Sequence, residues 1–342
     1  MGTHTSTYRT FTAEILFYIQ CPMRKPPNQI ARTDSLGRRI NFVRSPKGVY
    51  IHLSDRDLKT LSWQHRHGDL PTPYIHKYRY LMGYSKSPKT VCTSRRYRDF
   101  FHETKTRHNG AYIDWPFQQL QDVFRPNSSF RVHRPSKHAI EALRDADLLR
   151  LSTPASSSSW WHDFLRSCFT ANIELQCLEQ PDVFTFIHHD TVINNAIEKV
   201  GQAPKFQVAG ETFSPDVLFG IRYNEAKKVK LFAVEIDMMT ESINSEKNGN
   251  SIREKMRRYQ SYIKSGAYKK EFAFGGGFFN IYLTTNYRHA CNMVKNAPEE
   301  PFLLFSWVPY FVFPRRPPEL MPWLFNEAYD RSGHSPFFID RQ

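Results

Sequence analysis

The stretch LFAVEIDMMTES, residues 231–242, decides how the second half of this chain is read. An unbroken apolar run ends in Glu235 and Asp237, two carboxylates two positions apart. An apolar run of this kind, without alternation, is the pattern of a central strand covered on both faces. On a strand, residues i and i+2 share a face, so the two carboxylates stand side by side at its end. Like charges so close call for compensation by a metal ion, a basic group or solvent.

The flanking sequence supplies further elements. Upstream, ETFSPDVLFGIR (residues 211–222) places Pro215-Asp216 at a turn into a second strand. Downstream, SIREKMRRYQSYIKSG (251–266) reads as a helix closed by Gly266. FNIYLTTN (279–286) follows as another apolar strand, and YRHACNMVKN (287–296) as a helix. Further upstream, WWHDFLRSCFTANIELQC (160–177) is a helix, and FTFIHHDTVI (184–193) reads as a strand and a turn. Helices alternating with apolar strands predict an α/β core over residues 160–342, ending in a Pro-rich irregular tail packed through Trp323 and Phe325. In His188-His189-Asp190, adjacent strand residues point to opposite faces, so the three are not read as one metal site. Gly275-Gly276-Gly277 lacks the context of a phosphate loop and reads as a turn. His162, at the start of the 160–177 helix, reads as solvent-exposed, with a place facing the acidic residues as the other option.

The first half differs in charge. Residues 1–150 hold 26 Lys/Arg against 12 Asp/Glu, while the rest holds 21 of each, so the whole net charge of +14 lies N-terminally. Such asymmetry points to a polyanionic partner, double-stranded DNA first. The small polar run STPASSSS marks a linker at residues 151–159 between the halves. Five scattered cysteines without a CxxC pair, Cys21, Cys92, Cys168, Cys177 and Cys291, argue against a disulfide framework or a zinc knuckle. No run approaches a membrane span, and a soluble, cytoplasmic, nucleoid-associated protein is expected.

Within residues 51–150, LSDRDLKTLSWQHRHG (53–68) offers Ser54 as N-cap, Asp57 three residues on as a capping box, and Gly68 as C-cap. A second short helix is expected from Pro73 to Met82, and a third in SPKTVCTSRRYRDFFHET (87–104). GAYIDWP and SFRVHRP read as two strands, and SKHAIEALRDADLL as a last helix. Three helices and a hairpin form the order of a winged helix-turn-helix, whose third helix enters the major groove. That helix carries Lys86 and Lys89 at its start and then Arg95, Arg96 and Arg98, residue types suited to phosphates and guanine edges. Arg125, Arg131 and Arg134 flank the hairpin, and Tyr97, Phe100 and Phe101 are expected in the core. Residues 1–50, with Arg38, Arg39, Arg44 and Lys47, read as a basic arm or strands.

Pro215-Asp216 followed by a strand ending Glu235-x-Asp237 resembles the core of PD-(D/E)xK nucleases. The resemblance implies an Asp and a Glu on adjacent strands holding Mg²⁺ or Mn²⁺, and a Lys two residues after the Glu. Asp216 and Glu235 match, and Glu174 on the preceding helix is the candidate for an additional acid. Asp237 stands where the Lys belongs; with a metal bound it becomes a third ligand, and Lys255 is the candidate displaced Lys. Hard divalent cations take oxygen ligands from such carboxylates. The two halves together, LSDRDLKTLSWQHRHGDLP joined to SPDVLFGI, FAVEIDMMTESI and REKMRRYQSYI, resemble the replication-relaxation family of plasmid and phage proteins over about residues 50–330. The overall expectation is thus α/β and α+β, a winged helix joined to a PD-(D/E)xK nuclease-like domain. Three functions follow: a DNA-binding protein of replication or mobilisation with a degenerate nuclease-like domain, an active Mg²⁺-dependent endonuclease, or a protein–protein scaffold. A homodimer and replication or mobilisation proteins are the expected assembly partners.

Overall fold

The computed structural model describes residues 50–102, 111–116, 131–150, 159–239, 243, 251–309 and 319–341. The expectations for residues 1–49, for Arg125 and for most of the 151–159 linker lie outside them.

The basic half begins with helix α1 (Asp55–His67), held at its start by the expected capping box of Ser54 and Asp57. Gly68 ends it with φ +110°, a conformation that L side chains rarely adopt. A Cβ at that position would also lie 2.6 Å from Ser167 Oγ, so the close approach to the next domain needs glycine twice over. Strand β1 (Leu70–Pro71) follows, unforeseen because two residues carry no periodicity. Then come α2 (Thr72–Leu81) and α3 (Val91–Phe101), β2 (Ile113–Asp114), β3 (Val132–Pro135) and α4 (Lys137–Asp145). The three strands form an antiparallel sheet in the order β1-β3-β2, with Leu70 opposite His133 and Ile113 opposite Pro135. Tyr97, Phe100 and Phe101 are buried as expected. Helix α3 starts at Val91, so Lys86 and Lys89 stand in the loop before it rather than on its first turn.

Helix α5 (Trp160–Glu179) is the axle of the molecule. From His162 to Cys177 every side chain but that of Asp163 is buried, the mark of a helix covered all round. One side meets Leu61, Trp63 and Tyr74 of the basic half, the other meets Phe219 and Val234 of the sheet, and all belong to one hydrophobic cluster. The linker therefore joins two stretches that share a core. Buried Asn172 on α5 is satisfied: its amide donates to the Met321 carbonyl and accepts from the Met321 N–H.

Strand β4 (Phe184–Ile187) leads into helix α6 (His189–Val200). This corrects the expected strand and turn at 184–193. The small hairpin β5 (Gln207–Val208) and β6 (Glu211–Thr212) precedes β7 (Val217–Tyr223) and β8 (Lys228–Asp237). Helices α7 (Ile252–Lys264) and α8 (Ala267–Glu271) cross to β9 (Gly277–Thr284), and α9 (Tyr287–Asn296) crosses to β10 (Leu303–Trp307). The five-stranded mixed sheet runs β10-β9-β8-β7-β4, with β8 in the centre as its apolar run predicts. The β4-β7-β8 pairs are antiparallel and the β8-β9-β10 pairs parallel. The tail folds back as α10 (Trp323–Asn326) and the hairpin β11 (Ala328–Tyr329) and β12 (Phe337–Phe338), with Phe325 fully buried. The molecule is thus a mixed α/β structure.

Candidate active site

The β7–β8 register fixes the geometry of the acids. Val217 pairs with Val234, so Asp216, just before β7, lies across from Glu235. Asp216 Oδ2 accepts the Ile236 backbone N–H at 2.8 Å, which pins the aspartate to the neighbouring strand. Glu235 is buried, and its two oxygens are held by one face of α7. The Tyr259 hydroxyl donates to Oε1 at 2.7 Å, and Lys255 Nζ stands 3.3 Å from Oε2. Lys255 and Tyr259 are four residues apart, so both project from the same helix face onto one carboxylate.

The charges are mutually dependent. Burial, and then the charge of Asp216, push the Glu235 carboxyl up to about 7, against the pull of Lys255 and Tyr259. Asp216 moves the other way: burial alone would raise it, but the hydrogen bond and charge of His162, the Ile236 N–H and the charge of Lys255 leave it below its ordinary value. His162 Nε2 lies 3.2 Å from Asp216 Oδ2. Burial opposes its protonation, yet Asp216 and Asp163 hold its pKa above the usual imidazole value. His162 is therefore buried against the acidic residues, not solvent-exposed.

Two expected members of the centre are elsewhere. Asp237 shares the Glu235 face of β8, but its Oδ2 lies 2.7 Å from His289 Nε2 at the start of α9, close enough for an ion pair although off hydrogen-bond alignment. Asp216, Glu235 and Asp237 thus do not form a three-carboxylate cage. Glu174 is the second correction. It lies twelve residues beyond His162 on α5, about 18 Å of helix rise away. There it meets His67 and His188, and not Asp216 or Glu235. Asp216 and Glu235 remain a fitting pair for Mg²⁺, which takes one or two carboxylates and completes its shell with water and substrate phosphate.

The basic residues also sort into two groups. Lys86, Lys89, Arg95 and Arg98 are exposed. Arg95 and Arg98 line a concavity of about 210 Å³ with Ser94, Trp115, Arg131 and His133. The Arg131 guanidinium sits 4.3 Å over the Trp115 ring, which stacks on Phe101. Arg96 and Arg134 belong to the scaffold instead. Arg96 binds buried Asp57 at 2.8 Å and the His52 carbonyl at 2.7 Å. Arg134 grips Asp69 with two bonds of 2.7 Å, and Trp160 donates to the same carboxylate. Both face buried acids, so both are corrected from DNA contacts to structural ion pairs.

Sequence reasoning misses Tyr259 and ranks the acid-facing place of His162 second. Tyr259 was signalled by its spacing from Lys255 on a helix facing the strand. His162 carries no local signal, because only the packing of α5 across the strand ends brings it to Asp216.

Comparison with known proteins adds three findings. No curated protein matches the sequence. Among solved structures, that of the SdaI restriction endonuclease is similar at 10% identity and a TM-score of 0.27, covering 81% of this chain and 91% of that chain. At that score the likeness carries no argument. Residues 150–276, which include α5, both central carboxylates and α7, match the model of the replication-relaxation family. The similarity to that family rests on this segment, 127 of the 342 residues.

Proposed function

We propose that this protein binds double-stranded DNA through the α3 face and hydrolyses a phosphodiester bond at Asp216, Glu235 and Lys255, in replication or mobilisation of a plasmid or phage. The observation that carries the reading is the 3.3 Å approach of Lys255 to Glu235, beside Asp216. The strand-borne Lys of the nuclease pattern is absent, but α7 brings a lysine to the same carboxylate. The order α1-β1-α2-α3-β2-β3 with the sheet β1-β3-β2 supports a winged helix for the basic half.

Asp216 and Glu235 are the residues that would hold Mg²⁺ or Mn²⁺, which when bound lowers the pKa of water and neutralises charge at the scissile phosphate. Tyr259 fixes the rotamer of Glu235, and His162 with the Ile236 N–H fixes that of Asp216. Lys255 places a positive charge where a phosphate would enter and where the two carboxylates otherwise repel it. On the α3 face, Lys86, Lys89, Arg95, Arg98 and Arg131 supply phosphate contacts, which position DNA without specifying a sequence.

A second reading, DNA binding without cleavage, is favoured by one observation: both Glu235 oxygens already have partners in Tyr259 and Lys255. Incubating plasmid DNA with the protein and Mg²⁺ or Mn²⁺ separates the two. The nuclease reading expects nicking or cutting that disappears with chelator and in Asp216→Ala. Tight binding with intact plasmid under every metal condition would leave only the second reading.

A further inference from the structure

A second polar cluster lies at the seam of the two halves, away from the acidic centre. His67 ends α1, Glu174 sits in the middle of α5, and His188 immediately precedes α6. Among the described residues, this is the one trio of His, Cys, Asp or Glu whose ligating atoms all lie within 4.8 Å of one another. His67 Nε2 is 2.5 Å from Glu174 Oε2, and His188 Nε2 is 3.0 Å from Glu174 Oε1. All three side chains are largely withdrawn from solvent, at 2%, 9% and 13% exposure.

The hydrogen bonds around the trio orient its ligand atoms toward one another. The Thr170 hydroxyl lies 3.1 Å from the Arg166 carbonyl, to which it donates as helical threonines do. Its oxygen is then free to accept from His67 Nδ1, 2.8 Å away. With Nδ1 donating in that bond, the neutral ring would turn the lone pair of Nε2 toward a carboxylate oxygen. Glu174 Oε2 already accepts the Trp63 indole N–H at 2.8 Å. Two lone pairs at such a distance hold either a proton or a metal ion between them. Orientation of a ligand imidazole by a hydrogen bond from its second nitrogen, and of a ligand carboxylate by another donor, is the usual outer shell of a metal site.

We infer that His67, Glu174 and His188 bind one divalent zinc-class ion that ties the N-terminal half to the sheet half. Two imidazole nitrogens and one carboxylate oxygen are a donor set for zinc rather than for magnesium. Ligand atoms around a tetrahedral zinc stand about 3.3 Å apart, so the trio needs to open by less than about 1 Å to admit it. The site does not depend on the nuclease reading, because it shares no residue with Asp216, Glu235 or Lys255.

The test uses the full-length protein, stripped with chelator, dialysed and titrated with Co²⁺. One equivalent should produce visible d–d absorption and raise Tm by a few degrees, and Zn²⁺ should abolish the band by displacement. His188→Ala and Glu174→Gln, checked for folding by near-ultraviolet circular dichroism, should each weaken Co²⁺ binding at least tenfold. Asp216→Ala should leave the band unchanged. Absence of both band and Tm shift in folded wild-type protein would overturn the site, leaving a proton-bridged His–Glu–His cluster. A band that survives at full strength in folded His188→Ala would overturn it equally.

Discussion

Glu235 is the residue on which the most chemistry converges, and its environment makes a test in stability alone. Its carboxyl titrates near 4.5 when unfolded and near 7 when folded, mainly because it is buried and secondly because Asp216 is beside it. Between those values the folded state holds a proton that the unfolded state has lost. Its contribution to stability is therefore full below about pH 4.5 and is lost as pH rises through 7. Glu235→Gln keeps the acceptor for Tyr259 and removes the charge. It should match or exceed wild-type stability at pH 8 by roughly 1–3 kcal/mol and show little gain at pH 5, read by urea denaturation at both pH values. A gain independent of pH would mean that Glu235 is not held near neutrality. At this scale the acids themselves were legible, because Asp216 and the 235–237 pair sit at readable strand ends. Their partners were only half so. Lys255, the candidate displaced lysine, does stand beside Glu235, whereas Asp237, expected at the metal, has His289 of α9 beside it. Glu174, expected as an additional acid of the centre, lies too far along α5 to reach it, since a helix pattern shows which face a residue occupies but not which neighbour lies along its length.

The elements show why some segments read clearly and others did not. Helix α1 declared itself through Ser54, Asp57 and Gly68, each a residue whose local chemistry differs at a helix end. Helix α6 did not, because its N-cap is His188, whose side chain makes no cap bond and instead reaches Glu174. The left-handed Gly201 at its C-terminus was the signal available. Helix α3 divides its arginines by face, and the division is testable. Arg95→Ala with Arg98→Ala should weaken DNA binding at 100 mM salt and lower the salt slope of log K by about 2, with stability nearly unchanged. Arg96→Ala should do the reverse. It leaves buried Asp57 with Arg79 at 3.3 Å as its remaining cationic partner, and should cost about 1–2 kcal/mol of stability with a smaller effect on the slope. Fluorescence anisotropy across a salt series, paired with thermal melts, reads both. Equal losses of affinity in the two variants would contradict the assignment of Arg96 to the scaffold.

For the molecule as a whole, the charge asymmetry separates a basic half from a neutral one, but the two are not independently packed units. Trp63 and Tyr74 on one side and Phe219 and Val234 on the other belong to a single core with α5 between them. Only the full burial of α5 reveals this, and in sequence a helix buried all round looks like any strongly apolar helix. Among the described residues no helix is long and apolar enough to cross a membrane. The shared core joins the half that carries α3 to the half that carries the strand-end centre. Whether Lys255 serves that centre is the claim on which the account turns. The most direct measurement is the single-turnover cleavage rate of bound DNA in Mg²⁺ for wild type and Lys255→Ala, with DNA affinity recorded in parallel. The account predicts a fall of roughly 10²–10³-fold in rate with affinity changed less than about threefold, as for loss of a group acting on charge that develops in the transition state. Equal rates in the two proteins, or no cleavage by wild type, would contradict it.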